Sequence, residues 1–361
     1  VFPDTADQNA LQDKEYTPLR QLLIDITHGI RSVDTSHIII IEGNGWGNNY
    51  NGIFPLWDDN LVVSFHKYWN YNNSESIQNF LAIRKEQNVP IWMGESGENS
   101  NVWFTDAIQL FEQNGIGWAW WPLKKLGFNN PLQVPSNKNY DSLIRYWRNG
   151  GQKPSETFAY NALMQLANDT KLENNIYHKD VVDAMIRQPH TGETKGFSDV
   201  FINQTPLVFA GNYDLGRNGY AYWDKDTANY RVSTGQNVAW NKGRTYRNDG
   251  VDIEVCTDSF SNGFCVGSIE EGEWLQYTLH VEEAGIYNIR LRTKATNGKG
   301  KVQLALNNQN TGAETPVNKG SGWQFTDIKN IAIPKGTHRI KVRAVQGGFN
   351  LASLQFSQVK K

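Results

Sequence analysis

The residue best suited to chemistry is Glu95, which stands between glycines at the end of a short apolar run, Pro90–Gly97 (Pro-Ile-Trp-Met-Gly-Glu-Ser-Gly). Such a run predicts a buried strand, and the glycines predict a backbone turn at its end. A carboxylate presented at that position can act as a nucleophile. The alternative is a structural glutamate held in a salt bridge at the strand end.

A histidine and a tyrosine end the strand that precedes this run along the chain. The segment Asn60–Trp69 is largely apolar and finishes with His66 and Tyr68. If the two strands are neighbours in a parallel sheet, the Tyr68 hydroxyl can donate a hydrogen bond to Glu95 and keep that carboxylate ionised and aimed. His66 is placed to bind a substrate hydroxyl or to orient Tyr68, although an isolated strand histidine is more often a packing residue.

Tryptophans follow the two outer strands of this set. Trp46 comes after the strand His37–Glu42, and Trp121 lies at the end of Gly115–Leu123. Aromatic rings stack on the C–H faces of pyranose sugars, and the chain holds 13 tryptophans. A carboxylate, a histidine–tyrosine pair and aromatic rings at successive strand ends therefore predict a site that cleaves a sugar polymer.

Helices and strands alternate through the first 200 residues, which predicts a parallel sheet with right-handed crossovers. A closed barrel of this kind needs eight strands and carries its chemistry at their carboxyl ends, but only four strands are recognisable here. The sequence therefore predicts half of a barrel. The predicted helices are Tyr16–Val33, Ser74–Gln87, Thr105–Asn114, Ser155–Asn168 and Lys179–Arg187.

After about residue 205 the sequence pattern is that of β-strands alone. Short alternating runs, such as Glu273–Val281 and His338–Val345, are separated by glycine and asparagine turns. Such runs predict a β-sandwich. We therefore divide the chain into residues 1–200 and residues 206–361.

Composition argues against several classes of partner. The 361-residue chain has a formal net charge of −2, which gives no electrostatic basis for binding nucleic acid or a membrane surface. No apolar run approaches the ~20 residues that span a bilayer. Neither a His-x-x-x-His nor a Cys-x-x-Cys spacing occurs, so we expect no metal and no cofactor.

Two cysteines, Cys256 and Cys265, flank a turn-rich loop. Two cysteines that close one short loop favour a disulfide, and with it an oxidising compartment. The alternative is a pair of free, partly buried thiols.

Four motifs stand in order along the first part: His37–Trp46, His66-Lys67-Tyr68, Gly94-Glu95-Ser96-Gly97 and Trp121-Pro122-Leu123. Together they resemble strands five to eight of a glycoside hydrolase family 5 barrel. The resemblance implies a partial (β/α)8 TIM barrel, with Glu95 as the nucleophile and His66 and Tyr68 beside it. It also implies that Trp46 and Trp121 contact the substrate.

The family's second catalytic carboxylate is missing from the sequence. In that family a glutamate in an Asn-Glu-Pro motif, at the end of strand four, is the acid/base, and this chain has no Asn-Glu-Pro. The opening Val1-Phe2-Pro3 stands about where that motif would finish. We therefore expect the chain to begin just after the acid/base.

Four further motifs stand in the second part: Tyr246–Ile253, Glu271–Leu275, Gly322-Trp323-Gln324 and Gly347–Leu351. They resemble a family 6 carbohydrate-binding module, which implies a sandwich of the jelly-roll type. The resemblance implies that Tyr246 and Trp323 enclose a sugar ring and that Asn350 fixes its hydroxyls. The alternative for Trp323 is an ordinary core position.

One departure from that family concerns a metal. Its first strand usually carries an Ala-Glu pair linked to a structural calcium, whereas this chain reads Ala210-Gly211-Asn212-Tyr213. The missing glutamate puts the calcium in doubt.

The two resemblances imply a secreted, retaining endo-β-1,4-glucanase fragment, of the cellulase type, with a module that binds β-glucan or xylan. The alternative is a carbohydrate-binding protein without catalysis, because the acid/base is missing. A half barrel also leaves apolar edges at its outer strands. We expect a second copy or an N-terminal half-barrel fragment to cover them.

Overall fold

The computed structural model describes residues 17–203, 207–225 and 245–359. These residues form two compact units. Unit 1 holds the described residues up to Asn99 together with Asp106–Tyr177, and unit 2 holds Ser100–Thr105 with the described residues from His178 onward. Among the described residues, no helix is both long and apolar enough to cross a membrane.

Helices and short strands alternate through the described residues before residue 204. The helices are α1 (Thr17–Arg31), α2 (Asn44–Gly47), α3 (Gln78–Gln87), α4 (Asn101–Gln113), α5 (Lys138–Asn149), α6 (Glu156–Asp169) and α7 (Lys179–Ile186). The strands are β1 (Ile39–Ile41), β2 (Leu61–Lys67), β3 (Ile91–Gly97), β4 (Gly117–Trp121), β5 (Lys124–Lys125), β6 (Leu132–Gln133) and β7 (Ile176–Tyr177).

The main sheet of unit 1 is parallel and follows the chain order β1-β2-β3-β4. Val63, Phe65 and Met93 of its central strands are fully buried. The Phe65 ring stacks on Phe80 at 4.2 Å and meets Phe111 edge-on at 6.2 Å, which fastens helices α3 and α4 to the sheet. The four predicted strands are confirmed, and their assignment to strands five to eight of a barrel stays a prediction.

Helix α5 (Lys138–Asn149) is absent from the sequence expectations. The Asn137 side chain caps it by accepting hydrogen bonds from the backbone N–H groups of Asn139 and Tyr140. Leu143 is the buried aliphatic residue of this helix. Its other residues are mostly polar or aromatic, so the helical period is hard to see in the sequence.

Strand β1 lies at the edge of the parallel sheet, among the described residues. Ile38 and Ile40 are 61% and 52% exposed, and Leu22 and Ile26 of α1 are also exposed. An edge strand with an apolar face favours a partner that covers it. We expect the purified chain to be a dimer or larger, or to carry a companion fragment, when measured by multi-angle light scattering. A stable, well-folded monomer would contradict this expectation.

Unit 2 contains a sandwich of two antiparallel sheets, which confirms the all-β prediction. Its strands are β8 (Leu207–Phe209), β9 (Tyr222–Trp223), β10 (Ile253–Val255), β11 (Phe264–Ile269), β12 (Trp274–Val281), β13 (Gly285–Ala295), β14 (Lys301–Leu306), β15 (Gln309–Pro316), β16 (Gln324–Ile333), β17 (Gly336–Gln346) and β18 (Phe349–Gln358). The first sheet has the order β10-β11-β18-β13-β16, with β8 beside β18, and the second has the order β15-β14-β17-β12-β9.

The boundary between the units falls earlier than the predicted one at residues 200–206. Residues from His178 onward belong to unit 2. The segment before β8 is tied to the sandwich by backbone pairing, since Lys195 forms a bridge with Leu215 and Phe201 forms one with His280. The sequence of this segment is polar and lacks the alternation of apolar and polar residues that marks a strand, so it does not predict this pairing.

The predicted disulfide is wrong for this structure, in which Cys256 and Cys265 are free and buried. Glu254 is the residue paired with Cys265 across β10 and β11, while the Cys256 N–H donates to the Gly263 carbonyl. The cysteines are therefore diagonal neighbours on the strand pair, and as free thiols their side chains are in hydrogen-bond contact. Burial, with Cys256 alongside, raises the pKa of the Cys265 thiol to about 12.

Candidate functional site

The predicted site residues of unit 1 gather at the carboxyl ends of the parallel strands. Trp46 lies just beyond β1, Tyr68 directly follows β2, Glu95 lies near the end of β3, and Trp121 ends β4. His66 pairs in register with Glu95. Trp46 and Trp121 are 64% and 53% exposed, so both rings can meet a ligand.

Tyr68 donates a hydrogen bond from its hydroxyl to Oε1 of Glu95 over 2.6 Å. This is the contact expected from the spacing of the two strands. Burial, followed by the Glu95 carboxylate, raises the pKa of Tyr68 far above its ordinary value. The phenol therefore stays protonated and remains a donor throughout the working pH range.

His66 lies between two carboxylates. Its Nε2 is 3.0 Å from Oε1 of Glu42, and its Nδ1 is 3.6 Å from Oε2 of Glu95. Glu42 follows β1 directly and was not among the predicted site residues, although it ends a predicted strand in the same way as Glu95. Applying the strand-end criterion to every strand would have found it.

Gly97 lets the ends of β3 and β4 approach closely. It pairs in register with Trp121, and a Cβ at this position would lie 2.0 Å from the Trp121 carbonyl oxygen. Its φ of +151° is also unfavourable for side-chain-bearing residues. The second glycine of Gly-Glu-Ser-Gly thus fixes the distance between Glu95 and the aromatic end of β4.

Three residues just beyond β1, β2 and β3 adopt left-handed backbone angles. Trp46, Trp69 and Glu98 have φ values of 54°, 52° and 55°. Such angles are costly for residues with a Cβ and tend to cluster at functional sites. Trp69, which the sequence analysis missed, is 42% exposed and donates from its indole N–H to the Glu98 carbonyl over 3.3 Å. It is a further aromatic surface beside Tyr68.

Trp323 and Asn350 lie on one face of the first sheet of unit 2. Trp323 is half-buried and packs against Cys256 and Cys265. Asn350 donates from Nδ2 to Oε2 of Glu254 over 3.3 Å, and Glu254 pairs with Cys265. The Asn350 Oδ1 is buried and accepts no hydrogen bond from the residues that the structure describes. This oxygen is therefore a buried acceptor without a partner among the described residues.

Tyr246 does not share the contacts of Trp323 and Asn350. Its ring stacks on Phe264 with centroids 4.6 Å apart, and its hydroxyl donates to Oδ1 of Asn212 over 2.5 Å. Phe264 and Cys265 are consecutive on β11, so their side chains point to opposite faces. Because Tyr246 contacts the first and Trp323 the second, the described contacts do not bring the two rings together around one ligand.

The residues at the expected calcium position do not fit a calcium site. Gly211, which follows Ala210 at the place of the expected glutamate, has no side chain to bind calcium, and the next side chain, that of Asn212, accepts the Tyr246 hydroxyl. Within the described ranges, no group of three or more His, Cys, Asp or Glu side chains is arranged to hold a metal ion.

Two family models match separate parts of the chain. Residues 6–127 match Cellulase (glycosyl hydrolase family 5), and residues 243–358 match Carbohydrate binding module (family 6). A mannan endo-1,4-beta-mannosidase from Cellvibrio japonicus is 25% identical over 135 residues. That alignment covers 34% of this chain and 31% of the relative, so the chain spans about a third of that protein's length.

Two of the solved structures similar to this chain are carbohydrate-binding modules. One is module CBM6cm-2 of Cellvibrio mixtus lichenase 5A in complex with cellotriose, at 26% identity and a TM-score of 0.28, covering 31% of this chain and 88% of that one. Another is a β-1,3-glucan-binding CBM6 from Bacillus halodurans, at 21% identity and a TM-score of 0.25, covering 30% and 85%.

Proposed function

We propose that unit 1 is the nucleophile-bearing part of a retaining endo-β-1,4-glucanase and that unit 2 binds the same class of polysaccharide. The observation that carries the proposal is Glu95, whose two oxygens face Tyr68 at 2.6 Å and His66 at 3.6 Å at the carboxyl edge of a parallel sheet. The cellulase-family match over residues 6–127 supports it. The polymer lies outside cells, so we also propose an extracellular location.

Glu95 attacks the anomeric carbon, forming a glycosyl-enzyme that water later hydrolyses. Tyr68 holds one oxygen of Glu95, which aims the other lone pairs at the sugar. Trp46 and Trp121 stack on sugar rings. The second carboxyl group, about 5–5.5 Å from the first in retaining enzymes, protonates the leaving oxygen. We assign that role to no described residue, because Glu42 is bound to His66 and Ser64.

Mannan is the second candidate substrate, and the similarity to a mannan endo-1,4-beta-mannosidase favours it. The two sugars differ in the configuration at C2. We expect carboxymethyl cellulose to be cleaved in preference to galactomannan by the active form, measured as reducing ends released. The reverse preference would replace the glucanase assignment with a mannanase.

We expect the 361-residue chain alone to hydrolyse polysaccharide poorly. It carries no identified acid/base, and such a group is typically worth about 10²–10⁴-fold in rate. Reducing-end assays on carboxymethyl cellulose, at a chain mass verified by mass spectrometry, measure this. Robust turnover would mean that another carboxylate has the role. Complete inactivity, together with polysaccharide binding, would favour a carbohydrate-binding protein without catalysis.

Unit 2 supplies the binding function in this proposal. The family 6 match over residues 243–358 supports a carbohydrate ligand, and we propose β-glucan or xylan. Trp323 offers an apolar ring surface, and the Asn350 amide, whose buried Oδ1 has no partner among the described residues, turns outward to accept a sugar hydroxyl. Sugars present apolar faces and polar edges together, which this pairing of a ring with an amide can contact at once.

A further inference from the structure

Glu42 makes the closest polar contact to the imidazole ring of His66. Its Oε1 lies 3.0 Å from Nε2 of the ring and also accepts the Ser64 hydroxyl over 2.8 Å. The opposite ring nitrogen faces Oε2 of Glu95 at 3.6 Å. An imidazole on β2 thus spans two carboxylates, one from the end of β1 and one from β3.

Two glycines leave room for this arrangement. A Cβ at Gly94 would lie 2.2 Å from the Ser64 hydroxyl and 3.2 Å from Oε1 of Glu42. A Cβ at Gly47 would lie 3.2 Å from Nε2 of His66. Because both positions would crowd the same pair of side chains, the strand ends are shaped around the contact between Glu42 and His66.

The backbone around the pair is also held in place. The His66 N–H donates to Oδ1 of Asn48 over 2.8 Å. The buried Tyr50 hydroxyl lies 2.9 Å from the Ile41 carbonyl, next to Glu42, and 2.5 Å from the Ser64 carbonyl. These bonds join the ends of β1 and β2, so the carboxylate and the ring keep a fixed relative position.

We propose that Glu42 is a positioning residue of the hydrolase site, holding His66 as an oriented imidazolium beside the nucleophile Glu95. The proposal rests on the function proposed above for Glu95. With Tyr68 on Oε1 and a cation facing Oε2, both oxygens of the nucleophile are fixed. Glu42 acts through His66 and does not itself touch the reacting atoms.

The charges around the ring agree with this role. Among the described residues, Glu42 and Glu95 are the charged groups whose fields act on His66. The hydrogen bond to Glu42 raises the pKa of His66 and outweighs the opposing effect of burial. The same bond, with that from Ser64, lowers the pKa of Glu42. Between the lowered pKa of Glu42 and the raised pKa of His66 both side chains are charged, and this range is wider than the one between their ordinary values.

The test is a pH titration of the imidazole signals by NMR in the full chain, with His66→Gln used to assign the His66 signal. We expect a wild-type pKa above the ordinary 6.5 for histidine. Glu42→Gln keeps the shape and removes the charge, and should lower the His66 pKa by about one unit or more. Glu98→Gln, at another strand end, should leave it unchanged.

A wild-type His66 pKa at or below its ordinary value would overturn the proposal, even if Glu42→Gln failed to fold. An unchanged His66 pKa in a folded Glu42→Gln chain would overturn it as well. The second measurement is the rate at which the chain releases dinitrophenolate from 2,4-dinitrophenyl β-cellobioside, a substrate that needs no acid. We expect Glu42→Gln to slow this release at least tenfold, and a rate equal to the parent's would contradict the positioning role. If the parent releases nothing while His66 titrates as expected, the proposed function fails and the ionised pair stands.

Discussion

We expect Glu95→Gln to abolish formation of a covalent glycosyl-enzyme. The amide is a far weaker nucleophile than the carboxylate, so the rate of glycosylation should fall by several orders of magnitude. The substrate is 2,4-dinitrophenyl β-cellobioside, whose leaving group departs without protonation. The test therefore works in this chain although its acid/base is unassigned. The measurement is the release of dinitrophenolate, followed by absorbance.

A trapping experiment identifies the attacked residue directly. The 2-deoxy-2-fluoro analogue of the same substrate should slow turnover of the intermediate and leave a labelled peptide that contains Glu95. Glu98→Gln is the matched control, because Glu98 is a neighbouring strand-end carboxylate that pairs with Lys125 at 3.4 Å. It should be labelled like the parent. Label on another carboxylate, or normal release by Glu95→Gln, would remove Glu95 from the nucleophile's role.

The grouping of the candidate site was predictable because parallel strands put their carboxyl ends at one edge. An apolar run that finishes in polar residues marks each end, and this pattern located Tyr68 and Glu95 before any contact was known. The contact itself, 2.6 Å between their side chains, follows from β2 and β3 being neighbours. Local sequence and one rule of topology are sufficient for this part.

Contacts that depend on register were not predictable. The structure holds Cys256 and Cys265 as free thiols at diagonal positions, since β10 and β11 pair Glu254, and not Cys256, with Cys265. A shift of two residues between strands leaves the sequence pattern unchanged but moves the cysteines from opposite to diagonal positions. The same alternation sets Tyr246 and Trp323 against different faces of β11, which the resemblance alone did not indicate.

We expect Trp323→Ala to weaken polysaccharide binding. Losing a stacking ring removes apolar contact with a sugar face, which is worth on the order of 1–3 kcal/mol, or roughly 5- to 150-fold in affinity. The measurement is affinity electrophoresis of the full chain in gels that contain barley β-glucan or xylan. Asn350→Ala should weaken binding too, since it removes the unpartnered amide oxygen proposed to accept a sugar hydroxyl.

Trp147→Ala is the control, because this tryptophan is 57% exposed on α5 and contacts no predicted ligand surface. It should migrate like the parent. Trp223 is 44% exposed on β9 of the other sheet, so Trp223→Ala tests the opposite face of the sandwich. If the polysaccharide no longer slows the migration of Trp223→Ala but slows Trp323→Ala as it does the parent, the binding surface lies on that second sheet. If no β-glucan or xylan retards the parent chain, unit 2 does not bind these polymers, and the ring of Trp323 serves only to cover the two buried thiols.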